Sequence, residues 1–185
     1  MSTITLQVEH RQGDLFDDIP EGAILVHACN ARGVWGTGVA RTFRELYASA
    51  FKAYEAYCKR SIANTLLGKA MLIPVLDDSS PSPKLFIGCL FTRVNWGAPT
   101  PAEKAYGYEK GVLEATETAM QALVDGIAEA VAIGKMKAED VKEIRMPRIN
   151  SGRFNVQWED TEEVLKRVRV PKSLQHLKTV IVFTS

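Results

Sequence analysis

The chain reads as an α/β protein, and three observations predict this. Short β-type runs alternate with longer helical patterns, two apolar runs break into polar, glycine-containing loops that open into helices, and 185 residues suit one domain with a full hydrophobic core. Strands are expected at Thr3 to His10, Ala23 to His27, Ala70 to Val75, Lys84 to Phe91, Glu143 to Pro147 and Thr179 to Phe183.

The first strand leads into Gly13-Asp14-Leu15, a turn that presents one carboxylate. Asp and Gly are ordinary turn residues, and Asp14 equally suits the cap of a short helix. The second strand carries the most informative stretch. From Ile24 the chain runs through His27-Ala28-Cys29-Asn30 into Gly33-Val34-Trp35-Gly36-Thr37-Gly38, and a helical pattern opens at Val39. Unpaired N–H groups and the positive end of a helix make such a loop a seat for an anion, phosphate above all. Three glycines in six residues between strand and helix argue for more than a tight turn. The loop has neither the Gly-Lys-Ser/Thr ending of a P-loop nor the glycine spacing of the dinucleotide fingerprint, so a different cradle is required.

His27 and Asn30 stand where side chains can face the crevice beyond the carboxyl edge of a sheet. A His serves as general acid or base near neutral pH, and an Asn orients a hydroxyl or water. A satisfied core histidine and a turn asparagine are the competing readings. Cys29 reads as a small buried side chain, since a cysteine-phosphatase loop needs an Arg where Trp35 stands.

Val39 to Lys59 places Phe43, Leu46, Ala50, Phe51 and Tyr54 at helical spacing, which predicts one helix packed on the sheet. Asp77 to Pro83 has turn chemistry and reads as the connection of a long hairpin. Thr100-Pro101-Ala102-Glu103 predicts a capping box with Pro in the first turn, and the apolar stripe continues through Tyr106, Leu113, Met120 and Leu123. Gly134 to Asp140 is a second polar connection.

Ile144 to Asn155 then repeats the pattern of the first loop: an apolar strand ending in the polar, glycine-containing run Asn150-Ser151-Gly152-Arg153-Phe154-Asn155. Two such loops on parallel strands emerge from one edge and can clamp a diphosphate between their backbone amides. Arg148 and Arg153 add charge there, although an Arg is more often a solvated surface group; Phe154 suits packing on a ribose or in the core. A last helix is expected from the Trp158 to Thr161 region to about Val168, stopped by Pro171, with Val180 and Val182 in the closing strand.

Composition excludes several classes. A net charge of +1 gives no general attraction to nucleic acid, and no apolar run reaches the roughly 18 residues of a membrane span. The start Met-Ser-Thr-Ile-Thr lacks a secretory pattern, and Cys29, Cys58 and Cys89 are odd in number and scattered, so an intracellular, reducing setting is expected. His10, His27 and His176 lie far apart and no Cys or His pair has zinc spacing, so no metal and no cofactor are expected.

The Gly13-Asp14 turn, the His-Ala-Cys-Asn strand end, the Gly-Val-Trp-Gly-Thr-Gly loop and the Met-Pro-Arg-Ile-Asn-Ser-Gly loop together resemble a macro domain. The ordered set with Leu66-Leu67-Gly68-Lys69, Cys89-Leu90-Phe91-Thr92 and Trp158-Glu159 is similar to the fungal ADP-ribose 1″-phosphate phosphatases. The resemblance implies a single three-layer α/β/α domain over residues 1–185, with a mixed, mostly parallel six-stranded sheet and an ADP-ribose crevice. It assigns Asp14 to the adenine amino group with Leu15 lining that end, and Asn30 to the distal ribose. Gly33 to Val39 would wrap that ribose and its phosphate, with Ser151 to Asn155 covering the diphosphate. Water held by Asn30 and assisted by His27 would then attack the 1″-phosphate, loop amides stabilising the developing charge.

This chain departs from the family pattern in two places. Its second loop has Arg153 for an apolar residue and Asn155 for the final Gly, and the places of a lysine nucleophile and its Asp partner hold Arg93 and Phe154. The resemblance therefore implies hydrolysis of ADP-ribose 1″-phosphate, linked to clearing a tRNA-splicing by-product, by a monomer in the cytoplasm or nucleus. A hydrolase of mono-ADP-ribose esters on Glu or Asp of proteins and a noncatalytic ADP-ribose-binding module are the alternatives, because fold alone does not choose among them.

Overall fold

The computed structural model describes residues 2–77 and 80–184. Its strands are β1 (Thr3–Thr5), β2 (Gln7–Gln12), β3 (Ala23–Asn30), β4 (Ala70–Asp77), β5 (Ser80–Arg93), β6 (Glu143–Pro147), β7 (Arg169–Pro171) and β8 (Thr179–Thr184). Its helices are α1 (Gly38–Leu46), α2 (Ala48–Arg60), α3 (Pro101–Ala105), α4 (Tyr108–Ala132) and α5 (Trp158–Leu165). Six strands form one sheet in the order β2-β8-β6-β3-β5-β4, parallel throughout except where β4 returns antiparallel on β5. This is the mixed, mostly parallel sheet that was expected.

Helices cover both faces, so β3 is apolar on both sides and period 2 sorts its residues between two cores. Ile24 and Val26 join Met120, Leu123 and Ile127 of α4 on one face. Leu25 and Cys29 join Phe43 of α1 and Tyr54 of α2 on the other. His27 shares the parity of Leu25 and Cys29, which sends it toward α1.

Several expected elements divide. The first strand breaks at buried Leu6, whose N–H reaches Val168 O. Its first part then pairs antiparallel with β7, a strand not anticipated, and its second part pairs with β8. The helix expected from Val39 to Lys59 is interrupted at Tyr47 (φ −129°, ψ 61°), whose ring packs near Phe16 and Phe43. The helix opening at Thr100 does form its capping box, but Gly107 at φ 82° separates α3 from α4. The last helix ends at Leu165, short of Val168. β4 and β5 do form the expected hairpin, their pairing extending to Asp77 and Ser80; Asp78 and Ser79 lie outside the described residues. Among the described residues no helix is long and apolar enough to cross a membrane.

Candidate functional site

Parallel strands deliver their following loops to one edge, and the carboxyl ends of β6, β3 and β5 enclose a cavity of about 500 Å³ there. The first wall is β3 and the loop behind it. Register between β3 and β5 shifts at Cys29/Asn30, and Asn30 comes to lie opposite Arg93. The Asn30 side chain then ties the loop back on itself. Its Oδ1 accepts from the N–H groups of Arg32 (3.0 Å) and Val34 (3.2 Å), and its Nδ2 donates to Val34 O (2.6 Å). Tyr54 Oη donates to Asn30 O at 2.6 Å. An amide NH₂ has two hydrogens, so one Nδ2 hydrogen remains for a ligand.

Gly33 turns the loop at φ 76°, and a Cβ there would meet Cys58 Cβ at 3.3 Å. Trp35 follows and stacks on Tyr54, centroids 4.8 Å apart. Thr37 caps α1 by position only, with no side-chain hydrogen bond, so first-turn N–H groups of the helix have no side-chain partner from Thr37. Gly38, Val39 and Ala40 of that first turn line the cavity, and a helix start is the kind of element that receives an anion.

The second wall is the loop after β6. Asn150, buried and at φ 66°, accepts from Thr92 Oγ1 at 3.0 Å and donates to Thr116 Oγ1 at 2.9 Å. It therefore pins the loop to β5 and α4. Asn155 takes φ 53°, the left-handed conformation in which Asn is one of the few tolerable residues, so the loop closes without the family glycine. Its N–H reaches Gly152 O at 3.0 Å.

The third wall was not anticipated: Trp96 and Gly97, on the segment after β5. Trp96 is 65% exposed although it lines the cavity. Arg93, 5% exposed, holds this segment through Gly97 O and through Glu103 at 3.0 and 3.1 Å. The same guanidinium lies 4.9 Å from the Tyr108 ring and 5.7 Å from the Phe154 ring, while Tyr108 Oη donates to Phe154 O at 2.7 Å. Arg93 thus joins the second and third walls. The Thr100 N–H and Arg93 hold the Glu103 carboxyl below its ordinary value, and burial pushes the Tyr108 phenol up to about 12. The only signal in the sequence was topological: the third wall follows a parallel strand beside β3.

Of the residues expected to bind, Asn30, Val34 to Val39, Asn150 and Gly152 to Phe154 line this cavity, joined by Cys29, Pro147, Arg148 and Ile149. Gly33 and Ser151 shape the loops without lining it, and Asn155 faces an adjoining cavity. Leu15 is buried in the α1/α2 core. Asp14 is exposed, its Oδ1 accepting from Phe16 N–H at 2.9 Å, on the turn after β2. It shares the sheet edge with the cavity but stands two strands beyond β6.

His27 requires correction. It has 0% exposure and does not line the cavity, because strand parity turns it under α1. Its ring stacks on Phe43 at 4.1 Å and 11° and meets Trp35 edge-on at 4.7 Å. Cys29 Sγ lies 3.5 Å from His27 Nε2. Packed between Phe43 and Trp35, His27 supports the first loop from behind. With Cys89 across the strands, His27 and Cys29 bring three potential metal-ligand atoms within 4.8 Å of one another. The zinc-spacing test missed this grouping because strand neighbours two apart share a face. Burial raises the Cys29 thiol well above its ordinary value.

Arg148 and Arg153 line the cavity, and among the described residues no carboxylate does. The site therefore favours anions although the whole chain is near neutral.

The chain is similar to known proteins in sequence and in fold. Residues 26–165 match the macro domain family. The ADP-ribose 1″-phosphate phosphatase of Chaetomium globosum is 38% identical over 174 residues, covering 92% of this chain and 88% of that one. That of Meyerozyma guilliermondii is 34% identical over 177 residues, covering 89% and 95%. Among solved structures, the macrodomain of Mycobacterium tuberculosis DarG superimposes with a TM-score of 0.65 at 22% identity, covering 97% of this chain and 99% of that one.

Proposed function

The chain belongs to the macro domain family, and from that membership we propose that it hydrolyses ADP-ribose 1″-phosphate to ADP-ribose and phosphate. The observation that carries this reading is the cavity itself: two loops and an uncapped helix start converge on a cationic crevice lined by no carboxylate among the described residues. The phosphatase names of the fungal relatives support it. Clearance of a tRNA-splicing by-product, in the cytoplasm or nucleus, belongs to the same proposal.

In this reading ADP-ribose lies along the sheet edge, with adenine toward Asp14 and the distal ribose at Asn30. Water attacks phosphorus, the bond from phosphorus to the 1″ oxygen breaks, and that oxygen leaves with the proton that the attacking water gives up. The departing group is an anomeric hydroxyl, more acidic than an ordinary alcohol, so the step leans less on a side-chain acid. Asn30 donates its remaining N–H to the ribose or the water, and the N–H groups at the start of α1 face the charge that develops on phosphoryl oxygens. Phosphoryl transfer is accelerated largely by such positioning and electrostatics.

The absence of His or carboxylate among the described lining residues favours, as a second reading, a noncatalytic ADP-ribose-binding module. One comparison sorts the functions: phosphate released from ADP-ribose 1″-phosphate supports the phosphatase, and label lost from a mono-ADP-ribosylated protein supports ester hydrolysis. Binding of ADP-ribose without either turnover identifies the module.

A further inference from the structure

A second cavity of about 570 Å³ adjoins the first and shares Thr37, Gly38, Gly152 and Arg153 with it. Its remaining lining is Ala98, Pro99, Lys104 and Asn155. Resting on the phosphatase reading, we infer that this cavity is the subsite for a phosphomonoester on the distal ribose, and that Arg153 and Lys104 are its specificity-determining cations.

Direction comes from the strand order. The carboxyl edge runs from the Asp14 turn past β8 and β6 to β3 and β5. A ligand with its base at Asp14 and its distal ribose at Asn30 points its far end toward the segment after β5. Ala98, Pro99 and Lys104 lie there. The shared residues are the start of α1 and the middle of the second loop, so a group at the 1″ position passes between them without leaving the lined surface.

Charge comes from two side chains with no carboxylate partner. The ion pairs among the described residues include neither Lys104 nor Arg153. Glu103, the acid next to Lys104, is turned about 100° away around the helix and is held by Arg93 and the Thr100 N–H. No carboxylate lines the second cavity among the described residues. A terminal phosphomonoester adds about −1.5 to −2 charges at pH 7 to a ligand whose diphosphate is already served by the first cavity. Two unpaired cations at the far end give a reason to prefer the phosphorylated ligand to ADP-ribose.

The test is calorimetric binding of ADP-ribose and of a non-hydrolysable 1″-methylenephosphonate analogue to the wild type and to Arg153→Gln, Lys104→Gln and the double variant. Wild type should bind the analogue more tightly than ADP-ribose, and the double variant should lose about tenfold of that preference, with a weaker salt dependence. No preference in the wild type would overturn the subsite. So would an unchanged preference in the double variant, including the case where both ligands weaken alike because the cations serve the diphosphate. Because binding is read without turnover, a wild type that prefers the analogue but releases no phosphate would end the phosphatase reading and leave the anion subsite standing.

Discussion

His27 lies face to face with Phe43, their ring centroids 4.1 Å apart and their planes 11° from parallel. Phe43 belongs to α1, whose first turn fronts the cavity, so the stack fixes the helix start against β3. Removing the ring by His27→Ala should destabilise the protein by about 2–4 kcal/mol through the cavity it leaves. His27→Phe, which keeps a planar ring, should recover most of the stability and more turnover than His27→Ala. Denaturant melts and steady-state rates on both variants check this. Turnover equally abolished in a fully folded His27→Phe would give the imidazole a chemical role that its position denies.

Arg93 and Glu103 form the other prediction about support. The folded Glu103 carboxyl is held below its ordinary value of 4.5 by the Thr100 N–H and by Arg93. A depressed carboxylate contributes stability that is complete above the unfolded value and is lost as pH falls through the folded one. Thermal melts should therefore show wild type more stable than Glu103→Gln at neutral pH, the gap closing as pH drops below 4.5. A gap that is the same at pH 7 and pH 3 would mean the pair does not act through this charge.

The thiols should be silent. Cys29 and Cys89 are buried, burial drives the Cys29 thiol upward, and Cys58 is pushed up to about 11. Iodoacetamide at pH 7 should leave all three unmodified in the native protein and modify them in denaturant, as read by mass spectrometry. Rapid alkylation that stops turnover would restore a thiol to the chemistry.

The two loops were legible because each couples a local pattern, apolar strand then glycine or asparagine, to a global consequence of parallel strands. Asn30, Gly38 and Asn150 owe their places to that pattern. For His27 the core reading prevails over the crevice reading: composition at a strand end does not say which face a residue takes, and parity with Leu25, one turn of the pleat deeper in the strand, sends it under α1. Trp96, Gly97 and Lys104 carry no motif, and only the pairing of β5 beside β3, a contact between distant segments, brings them to the crevice. The breaks at Tyr47 and Leu6 were hidden because the apolar spacing continues across them while the backbone responds to packing.

The central claim is that this crevice, with Asn30 in it, removes the 1″-phosphate. Phosphate release from ADP-ribose 1″-phosphate should be measured for the wild type and Asn30→Ala side by side, with melting curves to allow for the about 1–3 kcal/mol lost with the loop-tying amide. Release by the wild type that falls at least about tenfold in a still-folded Asn30→Ala is the predicted result. Equal release by both proteins, or none by a wild type that still binds ADP-ribose, would contradict it.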